Sequence, residues 1–115
     1  MFGRFNRKPD PSQMTPEELR QRQDAGEHLF ILDVREPAEY AEGHIAGSTL
    51  IPLGQLAHRA ASLPADRPIV AVCHSGSRSG MAQQMLKRAG FADVLNLRGG
   101  MVAWAHSRLP IKRGD

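Results

Sequence analysis

Ile69-Val70-Ala71-Val72 runs into Cys73 and then into His74-Ser75-Gly76-Ser77-Arg78-Ser79, and this stretch decides the fold. The β-branched run predicts a buried strand and the small residues a tight loop; Met81, Met85, Leu86 and Ala89 then recur at helical spacing until Gly90. The result is a strand, loop, helix unit with sulfur at the turn. Backbone N–H groups of such a loop, and of the first turn of the helix, point inward and hold an anion. Cys73 is the only cysteine, so it forms no internal disulfide, and its placement reads as that of a nucleophile.

Working outward, turn signals alternate with apolar runs. Thr15-Pro16-Glu17-Glu18 is a capping box with proline at the first helical position, which predicts a helix over 16–24 that stops at Gly26. Strands are expected at 29–32, at 48–51 before Pro52, and at 91–96, besides the run that ends at Cys73. Helices are expected over 36–41 and 53–63, and a last short one bearing Trp104 follows Arg98-Gly99-Gly100. Near-continuous apolar strands separated by helical stretches indicate an α/β domain: a mostly parallel sheet with helices on both faces. Ligands of such sheets sit beyond the carboxyl ends of the strands, where Cys73, Asp33 and Arg35 fall together.

With 115 residues and 12.6 kDa the chain suits one domain able to bury a core without metal or disulfide support. The expected division is a flexible basic N-terminal tail over 1–11, the domain over 12–110 and a C-terminal tail over 111–115. The net charge of +3 belongs to the ends: Arg4, Arg7 and Lys8 carry +3 and residues 110–115 carry +1, leaving −1 on residues 9–109. With aromatics at 5% as well, a nucleic-acid surface on the folded body is not supported. No signal-peptide pattern or long apolar run is legible, so no membrane partner is expected and a reduced, cytoplasmic location is the default.

Several separated motifs agree on one family. Leu32-Asp33-Val34-Arg35-Glu36-Pro37-Ala38-Glu39-Tyr40, Gly43-His44-Ile45-Ala46-Gly47-Ser48, Ile51-Pro52, Cys73 to Ser79 and Leu97-Arg98-Gly99-Gly100-Met101-Val102-Ala103-Trp104 resemble, in order and spacing, the signatures of single-domain rhodaneses. The resemblance covers about residues 12–110. It implies a rhodanese-like three-layer domain with a mostly parallel five-stranded sheet, and thiosulfate sulfurtransferase activity.

The residues supply a chemical argument of their own. Cys73 attacks a sulfane sulfur only as thiolate, and an ordinary thiol, with a pKa of about 8.5, is mostly protonated at neutral pH. Inward N–H groups, the positive end of the following helix and the Arg78 guanidinium all favour the anion. The same donors, His74, Ser75, Gly76, Ser77, Arg78 and Ser79, form the expected substrate-binding loop. They would hold a Cys73 persulfide, the covalent intermediate of a double displacement that needs no metal and no organic cofactor. Partners are then small sulfur donors such as thiosulfate and acceptors such as cyanide or a thiol, with protein thiols or persulfides as further candidates.

Loop length separates this reading from cysteine phosphatases and arsenate reductases. Their loops are longer between nucleophile and arginine, whereas four residues intervene here, Val72 stands where a histidine is usual, and no general acid is evident in the loop. A sulfur-carrier or binding module acting with partner proteins remains the alternative, because a carrier needs the same loop.

Each residue also has a quieter reading. A free cysteine is commonly inert core, but Gly76 and the three serines make poor core and good anion-binding backbone. Arg78 either orients an anionic donor or pairs with a rim carboxylate such as Asp33 or Glu36, and both roles are compatible. Asp33 and Arg35 read as supports of the rim, and His44 as a loop-ordering hydrogen-bonder. His74 either contacts substrate or faces solvent, and Arg98 lies near the mouth or in a surface salt bridge. His28, His58 and His106 are too scattered for a metal site, and Trp104 reads as core.

Overall fold

The computed structural model describes residues 10–114, so most of the expected basic N-terminal tail lies outside the described residues. In chain order the elements are β1 (Gln13–Met14), α1 (Pro16–Asp24), β2 (Phe30–Asp33), α2 (Pro37–Glu42), β3 (Thr49–Leu50), α3 (Leu56–Arg59), β4 (Ile69–Val72), α4 (Ser77–Arg88), β5 (Val94–Leu97) and α5 (Gly100–His106). The five strands form one sheet in the order β1-β5-β4-β2-β3, and every pairing is parallel. This is the α/β sheet expected from the sequence.

The central strand β4 is buried along its whole length because both sheet faces are covered, and the side-chain period of two divides it between two cores. Ile69, Ala71 and Cys73 join Leu32, Leu56, Ala82 and Leu86 on one face. Val70 and Val72 join Leu19, Met101 and Trp104 on the other. Cys73 thus continues the register of the face that packs against α4, which is why its sulfur turns toward the start of that helix.

The capping box forms as expected: the Glu18 N–H donates to Thr15 Oγ1 at 3.1 Å, and the Thr15 N–H donates to Glu18 Oε1 at 2.9 Å. Trp104 is core, and its indole N–H donates to the Pro110 carbonyl at 2.8 Å. Two expectations need correction, and one strand was not anticipated. The stretch 53–63 is not one helix: α3 is a single turn between 3-10 turns at Leu53–Gln55 and Ala60–Ser62. Leu53, Leu56, Ala60 and Leu63 all face the core, and this spacing of three or four residues is met by the tighter turns. β5 begins at Val94 instead of residue 91, because Gly90 and Phe91 still close the end of α4, the Phe91 N–H donating to the Leu86 carbonyl at 3.0 Å. β1 carries no legible apolar run. It is two residues long, at the sheet edge, and is recruited by pairing of Gln13 and Met14 with Asn96 and Leu97.

Beyond Pro110 the chain returns to the domain. Lys112 and His44 exchange backbone hydrogen bonds of 2.8 and 2.9 Å, and the Gly114 N–H donates to the Ala41 carbonyl at 2.8 Å. Among the described residues, no helix is long and apolar enough to cross a membrane.

Candidate active site

Cys73 directly follows β4 and is 1% exposed. Gly76, three residues on, has φ +110°, a left-handed conformation that glycine adopts without steric cost. That turn aims its N–H back at the sulfur, N to Sγ 3.0 Å, and starts α4 immediately afterwards. The buried Ser79 hydroxyl lies 3.2 Å from Sγ on the first turn of α4. Burial on its own raises the Cys73 pKa, but the Ser79 hydroxyl and the backbone N–H groups of Ser79, Gly76 and Ser75 outweigh it and bring the thiol below its ordinary value. The loop therefore favours a thiolate.

Two elements hold this loop from behind. Asn96 on β5 is buried: its Nδ2 donates to the Gly76 carbonyl at 3.2 Å, which turns its Oδ1 toward Ser79 Oγ at 2.5 Å. The first turn of α5 faces the loop carbonyls, the Met101 N–H donating to Cys73 O at 2.9 Å and the Val102 N–H to His74 O at 3.0 Å. The approach needs glycine at 100: a Cβ there would collide with both carbonyl oxygens, and φ is +58°.

The rim is charge-paired. Asp33 and Arg35 form a buried ion pair, Nη2 to Oδ2 2.8 Å, and the same guanidinium donates to the Gly43 carbonyl at 2.8 Å and the Glu39 carbonyl at 3.3 Å. Arg35 thus ties the end of β2 to α2. Arg78 pairs with a carboxylate, but the partner is Glu39 in place of Asp33 or Glu36: Nη1 donates to Oε1 at 2.7 Å and Nη2 to Oε2 at 2.9 Å. The Arg78 hydrogen bonds carry the Glu39 carboxyl down to about 2 against the cost of burial, and Glu39 in turn holds Arg78 more firmly protonated. His44 orders its loop, stacking on Tyr40 at 3.7 Å between ring centroids, with Nδ1 2.7 Å from the Tyr40 carbonyl.

His74 and Ser75 are exposed at the mouth, one in each of two grooves that flank α5. His74 shares its groove with Arg35 and Glu39, and Ser75 shares the other with Arg98 and Glu17. Ser77 lines a third cavity, between α4 and β1, away from this mouth. The structure thus brings Cys73, Ser75, Gly76 and Ser79 to the sulfur, sets Asp33 and Arg35 in the rim, and leaves Arg98 at its far side. Sequence reasoning passed over Glu39, Asn96 and the contact of Gly100 with the loop. Asn96 had a signal, an amide inside the apolar run Val94-Leu95-Asn96-Leu97; Glu39 had none beyond its place in a quoted motif.

The profile of the Rhodanese-like domain matches residues 15–107. The chain belongs to the rhodanese-like family. Relatives of this rhodanese-like chain include the "Sulfurtransferase" of Allochromatium vinosum, 40% identical over 100 residues that cover 87% of this chain and 94% of that one. A Mycobacterium tuberculosis protein named "Probable adenylyltransferase/sulfurtransferase MoeZ" is 44% identical over 101 residues, which cover 86% of this chain and 26% of the relative. The chain therefore spans about a quarter of that relative's length. Among solved structures, a rhodanese-related protein of Thermoplasma volcanium superposes with a TM-score of 0.80 at 29% identity, covering 87% of this rhodanese-like chain and 96% of the other.

Proposed function

We propose that this rhodanese-like domain transfers sulfane sulfur from thiosulfate, or from a persulfide donor, to a thiophilic acceptor through a persulfide on Cys73. The Cys73 thiolate attacks the outer sulfur of thiosulfate; the new Sγ–S bond forms as the S–S bond of the donor breaks, and sulfite leaves with the electron pair. Cyanide or a thiolate then attacks the terminal sulfur, which leaves Cys73 as thiolate again. Charge and electrons balance in both halves, and no metal or organic cofactor takes part. Kinship with sulfurtransferases supports the reaction class.

The observation that carries the reading is the Cys73 sulfur set against the Gly76 N–H at 3.0 Å and the Ser79 hydroxyl at 3.2 Å. These donors stabilise negative charge on Sγ before attack. In the persulfide that charge moves to the terminal sulfur, where the loop N–H groups would stabilise it. A thiol used in this way has to stay reduced, and the cytoplasm is the location we assign. Thiocyanate production from thiosulfate and cyanide tests the proposal: it is expected from the wild type and lost in Cys73→Ala. Hydrolysis of an aryl phosphate faster than sulfur transfer would instead favour the phosphatase alternative.

A further inference from the structure

Two of the cations that frame the mouth on the α2 side are paired with carboxylates. Arg35 is paired with Asp33, and Arg78 gives two parallel hydrogen bonds to Glu39. Arg113, in the same groove, donates to the Glu42 backbone carbonyl at 2.9 Å and has no carboxylate partner among the described residues. Arg78 is the cation that the sequence offers to an anionic donor, yet its guanidinium charge is already met by Glu39, and both side chains keep about a third of their surface exposed (34% and 33%). A dianion arriving at Arg78 therefore meets little net attraction there. What lies beside the loop is a groove of about 360 Å³ with an apolar wall of Met101, Val102, Ala105 and Ile111, of which Val102 is 41% and Ile111 36% exposed.

We propose that Glu39 is a specificity-determining positioning residue: by neutralising Arg78 it disfavours dianionic thiosulfate and favours a singly charged sulfane donor whose organic body lies against Val102 and Ile111. The inference rests on the sulfur-transfer reading and names the donor class of the same site. With an organic thiosulfonate, RSO2S⁻, the thiolate takes the outer sulfur, the S–S bond breaks and the sulfinate RSO2⁻ leaves, so the charge on each side is −2. Glu39 acts only through Arg78, and it also accepts the Glu36 N–H at 2.9 Å, a bond that a glutamine Oε1 retains.

Single-turnover loading of Cys73, followed by intact mass with thiosulfate and with benzenethiosulfonate, tests this. Glu39→Gln is expected to lower the half-saturating thiosulfate concentration at least threefold, with the effect on binding instead of the maximal rate, and to shift benzenethiosulfonate less. It should also make thiosulfate loading more sensitive to added salt, because Arg78 becomes a net cation; a purely structural role would not move that slope. Arg78→Ala leaves Glu39 alone at the mouth and should raise half-saturating thiosulfate more than tenfold, most of which the double variant Arg78→Ala/Glu39→Gln recovers. Equal shifts for the two donors, no shift for thiosulfate, or no recovery in the double variant would overturn the Glu39 assignment. A wild-type chain that loads from neither donor would defeat the sulfur-transfer reading itself, a different failure.

Discussion

The Ser79 hydroxyl stands between two acceptors, 3.2 Å from Cys73 Sγ and 2.5 Å from Asn96 Oδ1, and it has one proton to give. With the thiol protonated, S–H donates to Ser79 and Ser79 donates to Asn96. With the thiolate, sulfur and Asn96 Oδ1 share that one proton, and the amide of Asn96, held by the Gly76 carbonyl, fixes the serine between them.

Ser79→Ala removes a donor to the charged form, so the thiol pKa rises toward its ordinary value. A hydrogen bond to a charged group contributes about 1.5–3 kcal/mol, so the pH midpoint of sulfur loading should move up by about one to two. Loading rates measured across pH should converge with wild type above the new midpoint and separate below it.

Arg35→Ala strands the Asp33 carboxylate at the buried end of β2. Breaking a buried pair from one side costs about 3–5 kcal/mol, and urea unfolding at neutral pH should show a loss of that order. Little change would mean that water reaches Asp33.

Glu39 supplies a pH test with a defined sign. Its carboxyl is held below its ordinary 4.5, down to about 2, so its pairing stabilises the fold fully above 4.5 and is lost as pH falls through 2. The pair is one-third exposed, so Glu39→Gln should cost less than about 1 kcal/mol at pH 7. Urea unfolding at a series of pH values should show that difference shrinking from about pH 4.5 downward.

Gly100→Ala tests how the first turn of α5 sets the loop. The added Cβ would meet the Cys73 and His74 carbonyl oxygens, so the loop must shift while both cores stay packed. Sulfur loading is expected to fall on the order of 100-fold, as for a misplacement of about 1 Å, with circular dichroism retained.

Much of this was legible in the sequence because local signals and tertiary context agree there. The run to Cys73, the Thr15 capping box and the loop glycine each state a local conformation that the fold keeps. β1 was not legible: two edge residues become a strand only because β5 offers a partner. Stretch 53–63 was misread because its apolar spacing fits a helix and a series of tight turns alike. In the site, residues 73–79 are contiguous and could be read together. The partners of Arg78 and Ser79, Glu39 and Asn96, are 39 and 17 residues away, and only the sheet order brings them close.

The central claim is that Cys73 carries sulfur, and intact-mass measurement after thiosulfate or benzenethiosulfonate treatment tests it most directly. The account predicts one added sulfur atom on the wild-type chain, removed by cyanide and absent in Cys73→Ala. No adduct from either donor, or an equal adduct on the alanine variant, would contradict it.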